Sequence, residues 1–446
     1  MGRLFGTDGV RGKAGVAPLD HSTVRRLGSA LVRSLRQGTE PVRFLVGRDT
    51  RESGEWIEEE LARGIRAEGA TITSAGIIPT PAIAYLTPRM GFTAGLVISA
   101  SHNPFEDNGI KVFSGAGEKF TEALEDRVES HMLDEDVAPP PLSEPVERID
   151  YRNQYISHLK EILPDARARG LRIAVDCANG ATTTIAPRLF QDLGIEAHCI
   201  GCAPDGRNIN LQCGSTHPEM LARAVVEGGY RMGIAYDGDG DRAIFVDAAG
   251  KVVDGDAVMF LCAKHMKDEG RLKGNALVAT VMSNIGLEIA LRDADIGMVR
   301  CAVGDKYVME EMIKRDLAIG GEQSGHVIFS EYLFTGDGLA TSLNVLRTML
   351  ATGRELADLA AQVTSYPQVL MNLRMQQKVD LATIPAVAAA MAAVESRLAG
   401  QGRLLVRYSG TEPLLRVMLE GKDQAEIKRW GEEIIEAVRL HVGAAV

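Results

Sequence analysis

The chain has 446 residues, 45% hydrophobic and 24% charged, the make-up of an ordinary globular protein with room for three or four domains. Its net charge of -11 argues against nucleic acid as the main partner, and no apolar run nears the roughly 18 residues of a membrane span. A small anionic ligand stays open wherever local arginines overcome that background.

The first stretch, MGRLFGTDGVRG, lacks the apolar segment of a signal peptide, and Gly6 stands where a myristoylation signal wants Ser or Thr. A cytoplasmic location with reduced thiols is therefore expected for the six cysteines. Next comes VRFLVGRDT (42–50), then a helical stretch to about Arg66, then EGATITSAG (68–76). An apolar strand, a polar loop, an amphipathic helix and a second strand make a β-α-β unit. The segment VISASHNPFEDNGIKVF (97–113) follows, in which an apolar strand stops at hydroxyl, imidazole and amide groups. Ser101 lies at that stop. There is no G-x-S-x-G elbow, and a histidine adjacent in sequence does not by itself supply a base, so protease chemistry is a poor reading. A phosphorylated serine fits better, because it offers acceptor oxygens and negative charge to a cation. Lys111, just beyond, suits a proton acceptor or a charge stabiliser; a snorkelling surface lysine is the bland alternative.

Four prolines in the nine residues VAPPPLSEP (137–145) predict a stiff linker. The β-α-β pattern then recurs in LRIAVDCANG (171–180), TTIAPRLFQDLG and IEAHCIG (195–201). Cys199 and Cys202 form a lone C-x-x-C without the second spaced pair of a zinc site, and are read as buried or loop thiols. In IAYDGDGDRAIFVD (234–247), Asp237, Asp239 and Asp241 alternate with glycines directly after an apolar strand. Three carboxylates so close repel unless a cation joins them, and all-oxygen ligation suits Mg²⁺ or Ca²⁺. An EF-hand beginning at Asp237 fails, since Arg242 stands at its sixth position and Ala248 at its twelfth. Arg242 beside a carboxylate-bound metal is what a phosphate-handling site would use. An acidic surface turn is the alternative.

A third copy runs through ALVATVMSN (276–284), IGLEIALRDA and IGMVRCAVGD (296–305). GGEQSGHVIF (320–329) offers Glu322, Ser324 and His326 in a glycine-flanked loop able to hold vicinal sugar hydroxyls. The tail differs: an Ala-rich helix (385–399), strands 403–409 and 414–421, and a helix over 423–442. Between its strands, VRYSGTEPLLR (406–416) gathers Arg407, Ser409, Gly410, Thr411 and Arg416 into a candidate anion cradle, with a plain S-G-T turn as the alternative. The expected fold is α/β in four domains: 1–145, 146–252 and 253–366 as related mixed-sheet domains in series, and 367–446 as a smaller α+β domain.

Taken together, SASHNP (99–104), DGDGDR (237–242), GEQSGH (321–326) and RYSGTEP (407–413) resemble, in order and over the whole chain, the α-D-phosphohexomutase family. The resemblance implies four domains around a central active-site cleft, a phosphoryl group carried on Ser101, and one Mg²⁺ held by that phosphoserine with Asp237, Asp239 and Asp241. It implies sugar-hydroxyl contacts from Glu322 and Ser324. Arg407, Ser409, Gly410, Thr411 and Arg416 would hold the non-reacting phosphate, and Arg11, Lys111, Arg242 and His326 would line the reaction centre. Some members carry a Gly-His-Ser loop where this chain reads VGDKYV (303–308), so that histidine's proton shuttle does not carry over to Asp305 or Lys306.

The opening FGTDGVRG (5–12), the Gln-Ser of GEQSGH and PDGRNINLQCGSTHPE (204–219) are similar to the branch acting on amino-sugar phosphates. The implied reaction interconverts glucosamine 6-phosphate and glucosamine 1-phosphate through a phosphoserine and glucosamine 1,6-bisphosphate. Its product would feed UDP-N-acetylglucosamine and cell-wall synthesis, and Lys111 or His326 would handle the sugar proton. No nucleic acid or membrane partner is expected, while monomer and homodimer both stay open. Two alternatives remain: a mutase preferring mannose or glucose phosphates, and a non-catalytic protein that binds sugar phosphates or Ca²⁺.

Overall fold

Runs of β-branched and aliphatic residues pair into four separate sheets in the computed structural model, which describes residues 4–6, 8–132, 144–164, 166–375, 378–408 and 414–443. Most of the proline linker, and Ser409, Gly410 and Thr411, lie outside the described residues. The first sheet has six strands, in the order Val10–Lys13, Asp107–Ser114, Ala94–Ile98, Arg43–Arg48, Thr71–Ile77 and Glu147–Arg148. Only Asp107–Ser114 runs against its neighbours. The helix Gly54–Ala67 makes the predicted crossover, because Ile57, Leu61 and Ile65 recur every fourth residue and are buried together. Glu147–Arg148 pairs with Thr71–Ile77, so this sheet's edge reaches past the expected boundary at 145.

The second sheet orders Val252–Val253, Ala243–Asp247, Met232–Tyr236, Arg172–Asp176 and Glu196–Ile200; the third orders Gly297–Cys301, Ala276–Thr280, Ile319–Gly321 and Val327–Phe329. Both are mixed: parallel pairs on one side give way to an antiparallel hairpin on the other. The three sheets therefore share one feature that positions function. Ser101 lies between Ala94–Ile98 and Asp107–Ser114, the three aspartates between Met232–Tyr236 and Ala243–Asp247, and Glu322 to His326 between Ile319–Gly321 and Val327–Phe329. Each is the hairpin loop at the carboxyl end of a parallel strand, where open α/β sheets gather their ligands.

By compactness the chain divides into two units: Met1–Met282 with Gly297–Ala361, and Ser283–Ile296 with Gln362–Val446. In the second, strands Gln368–Arg374, Leu414–Glu420 and Arg403–Tyr408 form an antiparallel sheet backed by helices Pro385–Leu398 and Gln424–His441. Leu373, Leu415, Val417, Leu419, Ile434 and Val438 fill its core. The helix Ile285–Asp293 lies within the expected third domain by sequence and groups with this unit by compactness, where it meets a polar anchor. The buried Glu420 carboxylate accepts from the Ile285 backbone N–H at 3.0 Å and from Arg403 Nε at 3.0 Å, capping that helix. Among the described residues, no helix is long and apolar enough to cross a membrane.

Candidate active site

The strand Ala94–Ile98 is wholly buried, and its apolar run ends because the next groups must serve a polar loop. Ser99 Oγ donates to Asp49 Oδ2 at 2.6 Å and accepts from the Ser101 N–H at 2.9 Å. Ser101 itself adopts φ +53°, a left-handed conformation that costs a non-glycine residue about 1–3 kcal/mol. That twist aims its hydroxyl at the second sheet's loop, where Oγ donates to Asp237 Oδ2 at 2.5 Å. His102 Nδ1 lies 3.2 Å from the same Oγ; burial, then the charges of Arg242 and Arg11, pull His102 down to about 4, so its ring is neutral near pH 7.

Asp237, Asp239 and Asp241 are buried and offer oxygens all within 4.8 Å of one another. Glycines make this possible. A Cβ on Gly238 would lie 2.5 Å from the Ser101 carbonyl oxygen, and Gly240 sits at φ +73°. Thr80, first residue of the helix Thr80–Arg89, donates through Oγ1 to Asp239 Oδ2 at 2.6 Å. Lys111 pairs with Val97 in register and reaches across to Asp239 Oδ2 at 2.8 Å, Asp241 Oδ2 at 2.9 Å and Asp8 Oδ2 at 3.2 Å. Asp8 also pairs with Arg11 and Lys119, and Lys119 in turn with Asp305.

The charges sort themselves by these contacts. Burial favours a neutral amine at Lys111, yet Asp239, Asp241 and Asp8 outweigh it and hold the group well above the ordinary lysine value. Lys111 is thus a fixed cation. Burial, then repulsion from Asp241 and Asp239, pushes the Asp237 carboxyl well above the usual carboxylate range. Asp241 goes the other way, because Lys111, His326 and Arg242 overcome its burial. Two carboxylate oxygens, Asp239 Oδ1 and Asp241 Oδ1, are buried without a hydrogen-bond partner. Orphaned anionic oxygens beside Asp237 and a serine hydroxyl are a donor set that fits a hard divalent cation.

The third sheet's loop is stitched to the second's. Arg242 and His326 form a β-bridge, and the Ala243 N–H donates to the Gly325 carbonyl at 3.1 Å. The Arg242 N–H donates to Asp237 Oδ1 at 3.1 Å, and its guanidinium faces Asp241 at 3.8 Å. His326 is buried; Nε2 accepts from the Gly336 N–H at 3.0 Å, and Nδ1 lies 3.6 Å from Asp241 Oδ1. Glu322 is half-buried and accepts from the Gly304 N–H at 3.2 Å, while Ser324 is exposed. The Gln323 side chain turns to Asp254, donating at 3.1 Å to the residue that caps the helix Gly255–Asp268. In the C-terminal unit, Arg407 and Arg416 stand directly opposite in the strand register. Two guanidiniums so placed offer paired donors to an anion.

Ser101, Lys111, Arg11, Arg242, His326 and the three aspartates therefore converge within one unit. Sequence reasoning passed over Asp8, Asp49, Arg51, Thr80, Lys119 and Asn210, all of which hold those groups in place. The signal for two of them was present: Asp49 and Arg51 form a charged cluster just past the end of an apolar strand.

Models of the phosphoglucomutase/phosphomannomutase family match four stretches of the chain. Alpha/beta/alpha domains I, II and III match at residues 2–138, 153–250 and 254–366, and the C-terminal domain at 370–437. A phosphoglucosamine mutase of Solibacter usitatus is 48% identical, covering 99% of this chain and 99% of its own. Another from a Geobacter species is 46% identical, again over 99% of both. Among solved structures, a phosphoglucomutase/phosphomannomutase family protein from Burkholderia thailandensis matches with a TM-score of 0.80 at 23% identity, covering 98% of this chain and 97% of that one. That likeness is one of fold.

Proposed function

The chain belongs to the phosphoglucomutase/phosphomannomutase family, and from that premise we propose that it interconverts glucosamine 6-phosphate and glucosamine 1-phosphate. It is an isomerase of the intramolecular phosphotransferase kind. The observation that carries the reading is the meeting of Ser101 Oγ with three buried carboxylates, two of whose oxygens have no hydrogen-bond partner. Ser101 Oγ, Asp237, Asp239 and Asp241 would hold Mg²⁺, which when bound supplies positive charge to the oxygens of a phosphoryl group.

Ser101, phosphorylated at Oγ, hands its phosphoryl group to the sugar's O1, giving glucosamine 1,6-bisphosphate. The bisphosphate turns end for end and returns its 6-phosphoryl group to Ser101. Phosphoryl transfer asks the protein mainly for position and charge. Lys111 and Arg242 supply that charge, the first as a cation locked among Asp239, Asp241 and Asp8. The sugar proton falls to Lys111 or His326, the latter's ring lying within 3.7 Å of the Asp241 and Asp305 carboxylates. Arg11 neutralises the site's rim beside Asp8. Glu322 and Ser324 receive the sugar hydroxyls. Arg407, Ser409, Gly410, Thr411 and Arg416 take the phosphate not being transferred, the opposed arginines supporting that role. The product would supply UDP-N-acetylglucosamine and cell-wall synthesis in the cytoplasm.

A coupled assay comparing glucosamine, glucose and mannose 1-phosphates, with and without Mg²⁺ and a bisphosphate primer, tests the reading. The highest kcat/KM on the amino sugar is expected, and a clear preference for a neutral hexose phosphate would overturn it.

A further inference from the structure

Arg51 is the largest fully buried side chain among the described residues, and it touches neither the three aspartates nor any group of the reaction centre through its side chain except the backbone beneath Ser101. A guanidinium has five N–H donors in a rigid fork, and all five are engaged. Nε donates to Asp49 Oδ2 at 2.8 Å; Nη1 donates to the carbonyls of Pro104 and Asp107; Nη2 donates to those of Ser101 at 3.0 Å and Asn103 at 2.9 Å. Four of the five acceptors are backbone oxygens of the one loop that carries Ser101.

The same two carbonyls receive a second pair of donors from the next sheet. Asn210 Nδ2 donates to Ser101 O at 2.9 Å and Asn103 O at 3.1 Å. Asn210 is itself fixed: its N–H donates to the Ala178 carbonyl at 2.9 Å, and its backbone is left-handed at φ +58°. Asp49 completes the frame by accepting from Ser99 Oγ, the atom that receives the Ser101 N–H. Ser101 is thus held through its amide by Ser99 and through its carbonyl by both Arg51 and Asn210, while its hydroxyl alone faces the acids.

Resting on the reading of Ser101 as the phosphoryl carrier, we propose that Arg51 and Asn210 are paired positioning residues, clamping the Ser101 carbonyl so that this residue keeps its left-handed backbone and presents Oγ to Asp237. Neither residue meets the substrate. Arg51 cannot be replaced by lysine, because a point ammonium cannot serve four carbonyls arranged for a planar fork. Asn210 lies in the stretch PDGRNINLQCG, so that signature has a mechanical meaning: it is a strut from the second sheet to the serine loop of the first.

The test is steady-state kinetics of Arg51→Lys and Asn210→Ala on glucosamine 6-phosphate, beside the phosphorus NMR line of phosphoserine 101 in each protein. A loosened loop lowers kcat by about tenfold or more while KM stays within about twofold, because the misplaced group is the nucleophile and not a substrate contact. The phosphoserine resonance broadens or shifts in the same variants. Should Arg51→Lys fail to fold, Asn210→Ala carries the test alone, since it leaves every Arg51 bond in place. Wild-type kcat in the folded variants, or a raised KM at unchanged kcat, overturns the proposal. A wild-type protein with no phosphoserine line would instead sink the reading on which it rests.

Discussion

In the proposed reaction the serine–aspartate centre and the C-terminal arginine pair would handle the same chemical group by opposite means. At the centre Ser101, Lys111 and the three aspartates are cross-braced and each at most 3% exposed, and loops from three sheets meet there. The arginine pair stands on neighbouring strands of a three-stranded sheet, with Arg407 exposed and facing Arg416 in the register. The contrast teaches where precision is needed. Transfer of a phosphoryl group demands fixed charge at fixed distance, whereas recognition of a phosphate that is not reacting demands only charge and donors.

If that division of labour holds, substitutions in the two regions separate in kcat and KM. The largest effect is expected at the acids. Asp239→Asn should lower kcat by about 10²–10³-fold at saturating Mg²⁺, and a chelator should abolish wild-type activity until Mg²⁺ is returned, both read in the coupled assay. Loss of activity without a Mg²⁺ response would break the comparison. Next come the arginines: Arg407→Ala or Arg416→Ala should lower kcat/KM by about ten- to a hundredfold, mostly through KM.

Thr80→Val sharpens the picture of a braced centre. It deletes the 2.6 Å bond to Asp239 while keeping shape, and should cost a few-fold in kcat and about 1–2 kcal/mol in stability by denaturant titration. Furthest from catalysis, with no change expected in kcat, lies Asp337, which caps the helix Gly338–Thr352 and accepts from Tyr155 Oη at 2.7 Å. Burial raises its carboxyl from 3.8 to about 6, so the folded state binds the proton more tightly than the unfolded. Its contribution is fully present below about pH 4 and is lost as pH rises through about 6. Asp337→Asn keeps the cap and does not titrate, so its Tm relative to wild type should be higher at pH 7 than at pH 4, by the equivalent of at most about 3 kcal/mol.

Much of this arrangement was legible in the sequence, but for different reasons in different places. The three β-α-β units showed themselves through apolar strands and helical periodicity, and DGDGDR pointed to an acid cluster, which the fold gathers with its oxygens within 4.8 Å of one another. What escaped was the common placement of the functional loops in the hairpins after those units, since the partner strands Asp107–Ser114, Ala243–Asp247 and Val327–Phe329 are short or polar and carry no helix signal. The braces escaped too. Asp8, Thr80 and Asn210 meet Lys111, Asp239 and Ser101 across more than a hundred residues of chain, and only the folded sheets bring them together. Domain limits blurred where pairing crossed them, as when Glu147–Arg148 closed the first sheet and Glu420 drew the helix Ile285–Asp293 to the C-terminal unit.

The most direct measurement is intact-mass analysis of the protein after incubation with glucosamine 1,6-bisphosphate and Mg²⁺, followed by a chase with glucosamine 6-phosphate. One phosphoryl adduct should form, map to Ser101, discharge into the chase sugar, and be missing from Ser101→Ala along with turnover. Full turnover by Ser101→Ala, or an adduct that the sugar phosphate cannot remove, would contradict the account.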